Sequence, residues 1–186
     1  MKVRRHRKRL MNIDEFLLLS EGTWISMRST HTLSFQKFEE GISTIKITSM
    51  SINDSKIVEL LSRSPGISKE GNYAHEIKWA QDSNWGIEKE EEKEERTVLI
   101  TIPTSDNDGI MIRENGYAEK MMALSNYKIL SGEILFIDTN YNDTKAEEKI
   151  WFASENLRCR SSTIKMKHSS GILQTSYSSE IRRLAS

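Results

Sequence analysis

Ten short strand-like segments, from residues 23–31 to residues 171–179, are the feature that most restricts how this chain can fold. Many of them alternate polar and apolar residues, and turn residues bound them. β-Branched and aromatic side chains, which favour strands, are frequent in them. The segments recur at intervals of about ten residues, a spacing that is typical of an antiparallel sandwich or barrel and not of a parallel sheet.

Two short helices are predicted beside the strands. Asn12 and Glu15 have the spacing of a capping box and an apolar run follows them, so a helix should begin at Asn12 and end at Gly22. Residues 55–63 carry apolar side chains on one helical face and should form the second helix. A short N-terminal helix ahead of about eight or more antiparallel strands predicts a closed cup, and a barrel of that size can hold one small ligand.

Composition and charge argue against several other classes of protein. The 186 residues fit one domain, since domains run to roughly 100–200 residues. The formal net charge is zero, which argues against a protein that grips nucleic acid along its whole surface. Cys159 is the only cysteine, so no internal disulfide can form and a reducing compartment is expected. No stretch approaches the ~18 apolar residues that cross a bilayer, so no membrane span is expected.

Charge blocks divide the chain. The first ten residues contain six lysines and arginines, and such blocks usually stay solvated. We therefore expect a basic, disordered extension over residues 1–11 and a barrel domain over residues 12–186. The charged stretch Glu88–Arg96 is predicted to be a solvated loop for the same reason.

Two arginines fall on one face of a strand predicted near residue 160. Side chains alternate along a strand, so Arg158, Arg160 and Ser162 share a face that continues with Ile164 and Met166. If this face points into a barrel, two cations are buried, which is costly unless they are paired. A ligand with two carboxylates would pair them, because guanidinium binds carboxylate in a fork. Alternatively, the strand bulges near Arg160 and both arginines face solvent.

Two glutamates could project into the same space. Glu148 shares a face with Ile150 and Phe152, and Glu180 lies on the inward set of the last strand. A carboxyl group inside an apolar cup holds its proton more readily and can act as a general acid. The alternative is that each glutamate is an ordinary surface residue.

Aromatic residues and one further cation complete the set of candidates. Trp79 and Trp85 flank a short predicted loop, where they could stack on a flat conjugated ligand or serve as core aromatics. Arg28 shares a strand face with Trp24 and Ser26, so it is either a third inward cation or exposed. The sequence contains no Gly-rich phosphate loop, no CxxC, no nucleophile elbow and no His pair with metal spacing, so no metal is expected.

Three segments resemble one known family. FLLLSEGTWISMRSTHTLSF (residues 16–35), IKWAQDSNWG (77–86) and above all EEKIWFASENLRCRSSTI (147–164) are similar to the S-type phycobiliprotein lyases of the CpcS/CpeS family. The similarity runs from about Asn12 to near the C-terminus. Cys159, inside the arginine motif, is not expected from the family pattern.

The resemblance implies a fold, an activity and a set of site residues. The fold is an all-β, lipocalin-like or fatty-acid-binding-protein-like antiparallel β-barrel with an N-terminal α-helix. The activity is noncovalent binding of a phycobilin and its transfer to a cysteine of a phycobiliprotein, with formation of a thioether bond. The implied catalytic residues are Glu148 and Glu180. The implied ligand-binding residues are Arg28, Trp79, Trp85, Arg158, Arg160 and Ser162.

The resemblance is closer to the phycoerythrin-type members of the family. It implies phycoerythrobilin as the bilin and the β-subunit of a phycobiliprotein, phycoerythrin above all, as the acceptor in phycobilisome assembly. It also implies the cytoplasm of a cyanobacterium or the plastid stroma of an alga, and it allows a homodimer formed through an outer face. Three alternatives remain open: a bilin carrier without lyase activity, a generic lipocalin-like carrier of fatty acid or haem, and a β-rich interaction module with a filled core.

Overall fold

A closed antiparallel barrel forms the body of the protein. The computed structural model describes residues 10–64, 71–81, 94–115, 121–168 and 171–184. Within them, each strand pairs with the next along the chain, and the first and last strands pair to close the barrel. This confirms the predicted all-β, lipocalin-like architecture. The strands are β1 (Gly22–Thr32), β2 (Lys37–Met50), β3 (Tyr73–Gln81), β4 (Glu95–Pro103), β5 (Asp108–Arg113), β6 (Ala123–Leu130), β7 (Ile134–Asn140), β8 (Thr144–Ser154), β9 (Leu157–Met166) and β10 (Ile172–Arg182).

All ten strand-like segments of the sequence correspond to strands, with shifts at their ends. The prediction of a solvated loop over Glu88–Arg96 is wrong for its last two residues, which begin β4. They are drawn into the sheet because the ladder between β3 and β4 extends to the pair Trp79 and Glu95. Residues 88–93 lie outside the described part of the chain, as do residues 1–9 of the expected basic extension.

One side of the barrel interior is apolar. Along β6 buried and exposed residues alternate strictly, as expected for a strand with one face on the core. Apolar inward side chains of β4 to β8 join one hydrophobic cluster, which we call the apolar wall. Its members include Leu99, Met111, Tyr127, Ile137 and Ile150.

Helix α1 (Ile13–Ser20) closes one end of the barrel. The side chain of Asn12 accepts a hydrogen bond from the backbone N–H of Glu15 at 3.0 Å, which confirms the predicted helix start. Ile13, Phe16 and Leu17 are buried in the same cluster as the apolar wall. The helix is therefore the floor of the cup, and its amphipathic face is held by packing against the strands.

Helix α2 (Ser55–Ser62) lies on the outside of the barrel. Asp54 caps it by accepting a hydrogen bond from the N–H of Lys56 at 2.9 Å. Its apolar face, formed by Ile57, Leu60 and Leu61, packs against the outward side chains of β3 to β5. The prediction of a helix over residues 55–63 is confirmed. No helix in the described part of the chain is long and apolar enough to span a membrane.

His75 is a buried titratable residue beside the C-terminal end of α1. Its Nε2 lies 3.3 Å from Oε1 of Glu21, and its Nδ1 is buried without a hydrogen bond. Burial lowers the pKa of His75 below its usual value of 6.5, although the Glu21 carboxylate opposes this effect. The neutral imidazole is therefore the form that fits the folded protein.

Acid is expected to weaken folding through His75. The unfolded chain binds a proton at His75 near pH 6.5, whereas the folded protein takes it up only at lower pH. The stability that neutral His75 contributes is therefore fully present above pH 6.5 and is lost as the pH falls towards the pKa of His75 in the folded protein. Urea unfolding at about pH 7.5 and about pH 5 should show a smaller loss of unfolding free energy in His75→Gln than in the wild type. Equal losses in the two proteins would contradict this assignment.

Candidate functional site

Polar side chains line the side of the interior opposite the apolar wall, on β8, β9, β10 and β1. Residues directly paired across antiparallel strands share a face. One row joins Arg158 to Glu180, and the next joins Arg160 to Ser178 and Arg28. A third row joins Glu148, Ser162 and Ser176. We call this set the polar wall: Arg28, Glu148, Arg158, Arg160, Ser162, Ser176, Ser178 and Glu180.

The register decides between the two interpretations of the arginine strand. Pairing of β9 with β8 and β10 is unbroken around Arg160, and the irregularities lie elsewhere, near Phe152 and near Ile172. The strand therefore does not bulge at Arg160. The face shared by Arg158, Arg160 and Ser162 points into the barrel, as do Glu148 and Glu180.

Arg158 and Glu180 form a buried ion pair at the base of the polar wall. Their side chains are 2% and 1% exposed, and Arg158 Nε donates to Glu180 Oε2 at 2.5 Å. Arg158 Nη2 lies 2.5 Å from the same oxygen. Burial lowers the pKa of Arg158 to about 10, and the Glu180 carboxylate partly offsets this effect. Both side chains are almost fully enclosed by protein, and Arg158 is engaged with Glu180 Oε2, whereas Glu180 Oε1 faces Ser178 and Arg160 on the row above.

Arg160 lies one row closer to the barrel mouth and is reachable from solvent. Its side chain is 26% exposed, and it stands between two carboxylates: Nη1 is 3.8 Å from Glu148 Oε2, and Nε is 3.9 Å from Glu180 Oε1. These distances are those of ion pairs and not of short hydrogen bonds. A carboxylate ligand could therefore reach Arg160 from the barrel mouth.

Arg28 lies on the inner face of the barrel and is also exposed. It shares the inner face of β1 with the buried residues Trp24, Ser26 and Thr30. It lies in the same row as Arg160, two strands away. The inner face thus presents two accessible cations above one buried ion pair.

Glu148 and the serines complete the polar wall. Glu148 is 3% exposed and pairs across the sheet with Ser162. The hydroxyls of Ser162 and Ser176 are 2.7 Å apart, and Ser178 Oγ donates to Glu180 Oε1 at 3.4 Å. Hydroxyl and carboxylate groups here could donate to or accept from a polar ligand. In the described part of the chain no group of three or more His, Cys, Asp or Glu residues could hold a metal ion.

Of the two candidate tryptophans, Trp79 lies in the described part of the chain. Trp79 is half-buried on the inner face of β3, where it pairs with Ile45 of β2. Trp85 lies outside the described residues. Cys159 points away from the polar wall, as its position between the two arginines predicts, and it is buried beside Trp151 and Ser179.

Two residues near the site are not singled out by the sequence. Trp24 is fully buried, and the guanidinium carbons of Arg158 and Arg182 lie 4.7 and 4.2 Å from its ring centroid. Two signals could have indicated them: Trp24 shares the strand face of Arg28, and Arg182 follows Glu180 by two residues on its face.

Comparison with known proteins adds an independent line of information. The chain matches the family model described as CpeS-like protein over residues 12–183. It is 38% identical to "Chromophore lyase CpcS/CpeS 3" of Trichodesmium erythraeum (strain IMS101) over 175 residues, which cover 92% of this chain and 99% of that protein. It is 34% identical to "Phycocyanobilin lyase subunit CpcS" of Picosynechococcus sp. (strain ATCC 27264 / PCC 7002 / PR-6), with coverage of 81% and 77% respectively.

A solved structure agrees with the barrel described above. The S-type phycobiliprotein lyase CPES from Guillardia theta superposes with a TM-score of 0.79 at 29% sequence identity, and the match covers 95% of each chain. The sequence motifs, the family model and the fold all lead to the same assignment. The chain belongs to the CpeS-like family.

Proposed function

We propose that this protein is a chromophore lyase, which binds a phycobilin noncovalently in the barrel and transfers it to a cysteine of a phycobiliprotein. The observation that carries the proposal is the polar wall, on which two accessible arginines stand above a buried Arg158–Glu180 pair. A phycobilin has two propionates, an extended conjugated system and pyrrole nitrogens that share protons. The polar wall offers a complementary group for each polar part of such a ligand.

The accessible arginines are the groups that bind the propionates in this proposal. Arg160 is partly exposed and Arg28 is exposed on the same row, so both can reach a ligand from the mouth. Arg158 is sealed in its ion pair with Glu180. We therefore assign to Arg158 the role of holding Glu180 and not that of a direct clamp. Ser162 would contribute a hydroxyl beside Arg160.

The flat rings of the bilin would lie against aromatic and apolar groups. Trp79 faces inward from β3, and the apolar wall stands across the interior from the polar wall. Offset stacking on an indole is a favourable arrangement for a conjugated ring. Trp85, which lies outside the described residues, is proposed as a second stacking indole. The division of the interior into two walls would fix which edge of the bilin faces each side.

Glu180 and Glu148 are the proposed acid–base groups. Either carboxyl group could keep the pyrrole nitrogens protonated, which makes the ring A ethylidene more electrophilic. The acceptor protein supplies a cysteine thiolate, which is the nucleophilic form. A carbon–sulfur bond forms, the electron pair of the double bond passes into the conjugated system, and that system takes up one proton. The addition needs no oxidant or reductant.

We further propose phycoerythrobilin as the bilin, the β-subunit of phycoerythrin as the acceptor, and the cytoplasm or plastid stroma as the compartment. This choice follows the resemblance of the three sequence segments described above to phycoerythrin-type members of the family. The Picosynechococcus relative is named for phycocyanobilin, so that bilin is the appropriate competitor.

A two-step assay tests the proposal. Purified protein is mixed with phycoerythrobilin or phycocyanobilin and the absorbance is recorded; the apo β-subunit of phycoerythrin is then added. A red-shifted, sharper band followed by a covalent, fluorescent adduct on the β-subunit is the expected result with phycoerythrobilin. A shifted band without an adduct on any phycobiliprotein subunit would indicate a carrier. No shift with either bilin would overturn the proposal.

Removal of the Arg160 guanidinium should weaken bilin binding. Hydrogen bonds to charged groups contribute about 1.5–3 kcal/mol, so Arg160→Ala should raise the Kd of phycoerythrobilin roughly tenfold to hundredfold. Lys149→Ala is the matched control, because Lys149 is an exposed cation on the outer face of β8. Its Kd should equal that of the wild type in a fluorescence titration. An unchanged Kd in Arg160→Ala would remove Arg160 from the binding site.

A further inference from the structure

The Trp24 indole lies where the floor of the barrel meets the polar wall, and no step of the proposed reaction uses it. The residue is 0% exposed, so its ring is entirely enclosed by protein. Its Nε1 donates to the carbonyl oxygen of Ser20, the last residue of α1, at 2.9 Å. A buried indole N–H normally has such a partner. This bond fixes the ring relative to the helix.

Two guanidinium groups lie over this ring. The Cζ atoms of Arg158 and Arg182 are 4.7 and 4.2 Å from its centroid. Cations are attracted to the face of an aromatic ring, and the attraction grows when water is excluded. Arg158 is therefore restrained twice, by its ion pair with Glu180 and by the Trp24 ring.

Arg182 ties this cluster to the floor helix. Its Nη1 donates to the carbonyl of Glu21 and its Nη2 to the carbonyl of Leu19, each at 2.5 Å. A cation at a helix C-terminus satisfies the last carbonyls and complements the helix dipole. Gly22 permits the approach, because a Cβ there would lie 2.7 Å from Arg182 Nη1. The contacts run without a gap from α1 through Trp24 to the Arg158–Glu180 pair.

We propose that Trp24 and Arg182 are positioning residues, which hold the Arg158 guanidinium and, through it, the Glu180 carboxyl in the orientation that bilin transfer requires. This inference rests on the proposed function, in which Glu180 is an acid–base group. Neither residue needs to touch the bilin. Without the indole, Arg158 can turn into the vacated space and Glu180 can follow it, whereas Arg160 keeps its second carboxylate partner, Glu148. Transfer should therefore slow more than binding weakens.

A double-mutant cycle tests the inference. The rate of transfer of bound phycoerythrobilin to the apo β-subunit is measured in single turnovers for wild type, Trp24→Leu, Glu180→Gln and the double variant. Trp24→Leu should slow transfer roughly tenfold. Trp24→Phe, which keeps an aromatic face, should restore most of the rate. In the Glu180→Gln background Trp24→Leu should add little, because the two changes act through one contact chain.

Phe16→Leu is the matched control for damage to the floor. Phe16 of α1 is a buried aromatic like Trp24 of β1, and it packs on Phe152 with ring centroids 5.1 Å apart. This variant should lower the melting temperature but transfer bilin at the wild-type rate. A wild-type rate in Trp24→Leu, additive effects in the cycle, or equal slowing by Phe16→Leu would each overturn the inference. If Trp24→Leu does not fold, Arg182→Met takes its place in the cycle.

A measurement without bilin separates this inference from the proposed function. In the wild type the Nε–H of Arg158 should give a ring-shifted NMR signal that exchanges slowly, because the guanidinium carbon lies over the Trp24 ring and Nε donates to buried Glu180. Trp24→Phe should retain slow exchange, and Trp24→Leu should lose it. Slow exchange retained in Trp24→Leu would overturn the inference. Wild-type protein that neither binds nor transfers any bilin would instead overturn the proposed function, and the NMR result would still decide the role of Trp24.

Discussion

Arg158→Met is expected to destabilise the folded protein by about 3–5 kcal/mol. The substitution leaves the Glu180 carboxylate inside the polar wall without its nearest cation, and both side chains are almost fully buried. Removing one member of a buried ion pair destabilises a protein strongly, whereas replacing both members with well-packed neutral residues changes the unfolding free energy much less. The unfolding free energy, obtained from guanidinium denaturation followed by circular dichroism, measures the effect.

Two further variants show whether the lost charge balance is the cause. Arg158→Met combined with Glu180→Gln removes both charges and should regain most of the lost stability. Lys145→Met breaks an ion pair with Asp138, at 3.0 Å, whose members are both partly exposed, so it should cost less than about 1 kcal/mol. If the double variant is as unstable as Arg158→Met, the loss comes from packing, including contact with Trp24, and not from the unpaired carboxylate.

Glu180→Gln should slow bilin transfer about a hundredfold or more, whereas the affinity for bilin should change much less. A positioned acid–base group typically contributes roughly 10²–10⁴-fold to a rate, and glutamine keeps the size of the side chain but can neither carry a proton nor balance the charge of a protonated bilin. The measurement is a single-turnover transfer with the bilin already bound, so that binding does not enter the rate. Glu148→Gln is measured in parallel, because both carboxyl groups approach Arg160 from the polar wall.

Glu147→Gln is the control for this experiment. Glu147 is adjacent to Glu148 but points outward, where it pairs with Lys165 at 2.8 Å. Its variant should transfer bilin like the wild type. If Glu148→Gln and Glu180→Gln each transfer bilin at the wild-type rate, neither inward glutamate has the proposed acid–base role.

Local patterns predicted much of this architecture, because they depend only on short stretches of chain. The twofold repeat of a strand places Arg158, Arg160 and Ser162 on one face, and the structure has them there. The cap at Asn12 marked the start of α1 for a similar reason, since its hydrogen bond reaches only three residues along the chain. These features need no knowledge of distant partners.

The depth of each side chain could not be predicted in this way. Arg158 and Arg160 have the same local pattern, yet Arg158 is buried between Glu180 and Trp24 and Arg160 is accessible. The contact of Arg182 with Glu21 joins residues 161 positions apart, and no short window contains both. The role of Trp24 follows from the same long-range contacts. The extension of β4 to Glu95 likewise depends on pairing with β3, which overrides the local preference of charged residues for solvent.

Pairing of β1 with β10 has a consequence for the order of events during folding. Arg28 and Trp24 come from the first strand, whereas Glu180 and Arg182 come from the last, and Arg158 and Arg160 precede them by one strand. No partly synthesised chain that lacks the last strand can hold both halves of the site. Contacts so distant in sequence are among the slowest to form. Bilin binding should therefore require the completely folded barrel, and a chain still being synthesised should not bind it. A bound bilin should in turn stabilise the pairing of β1 with β10.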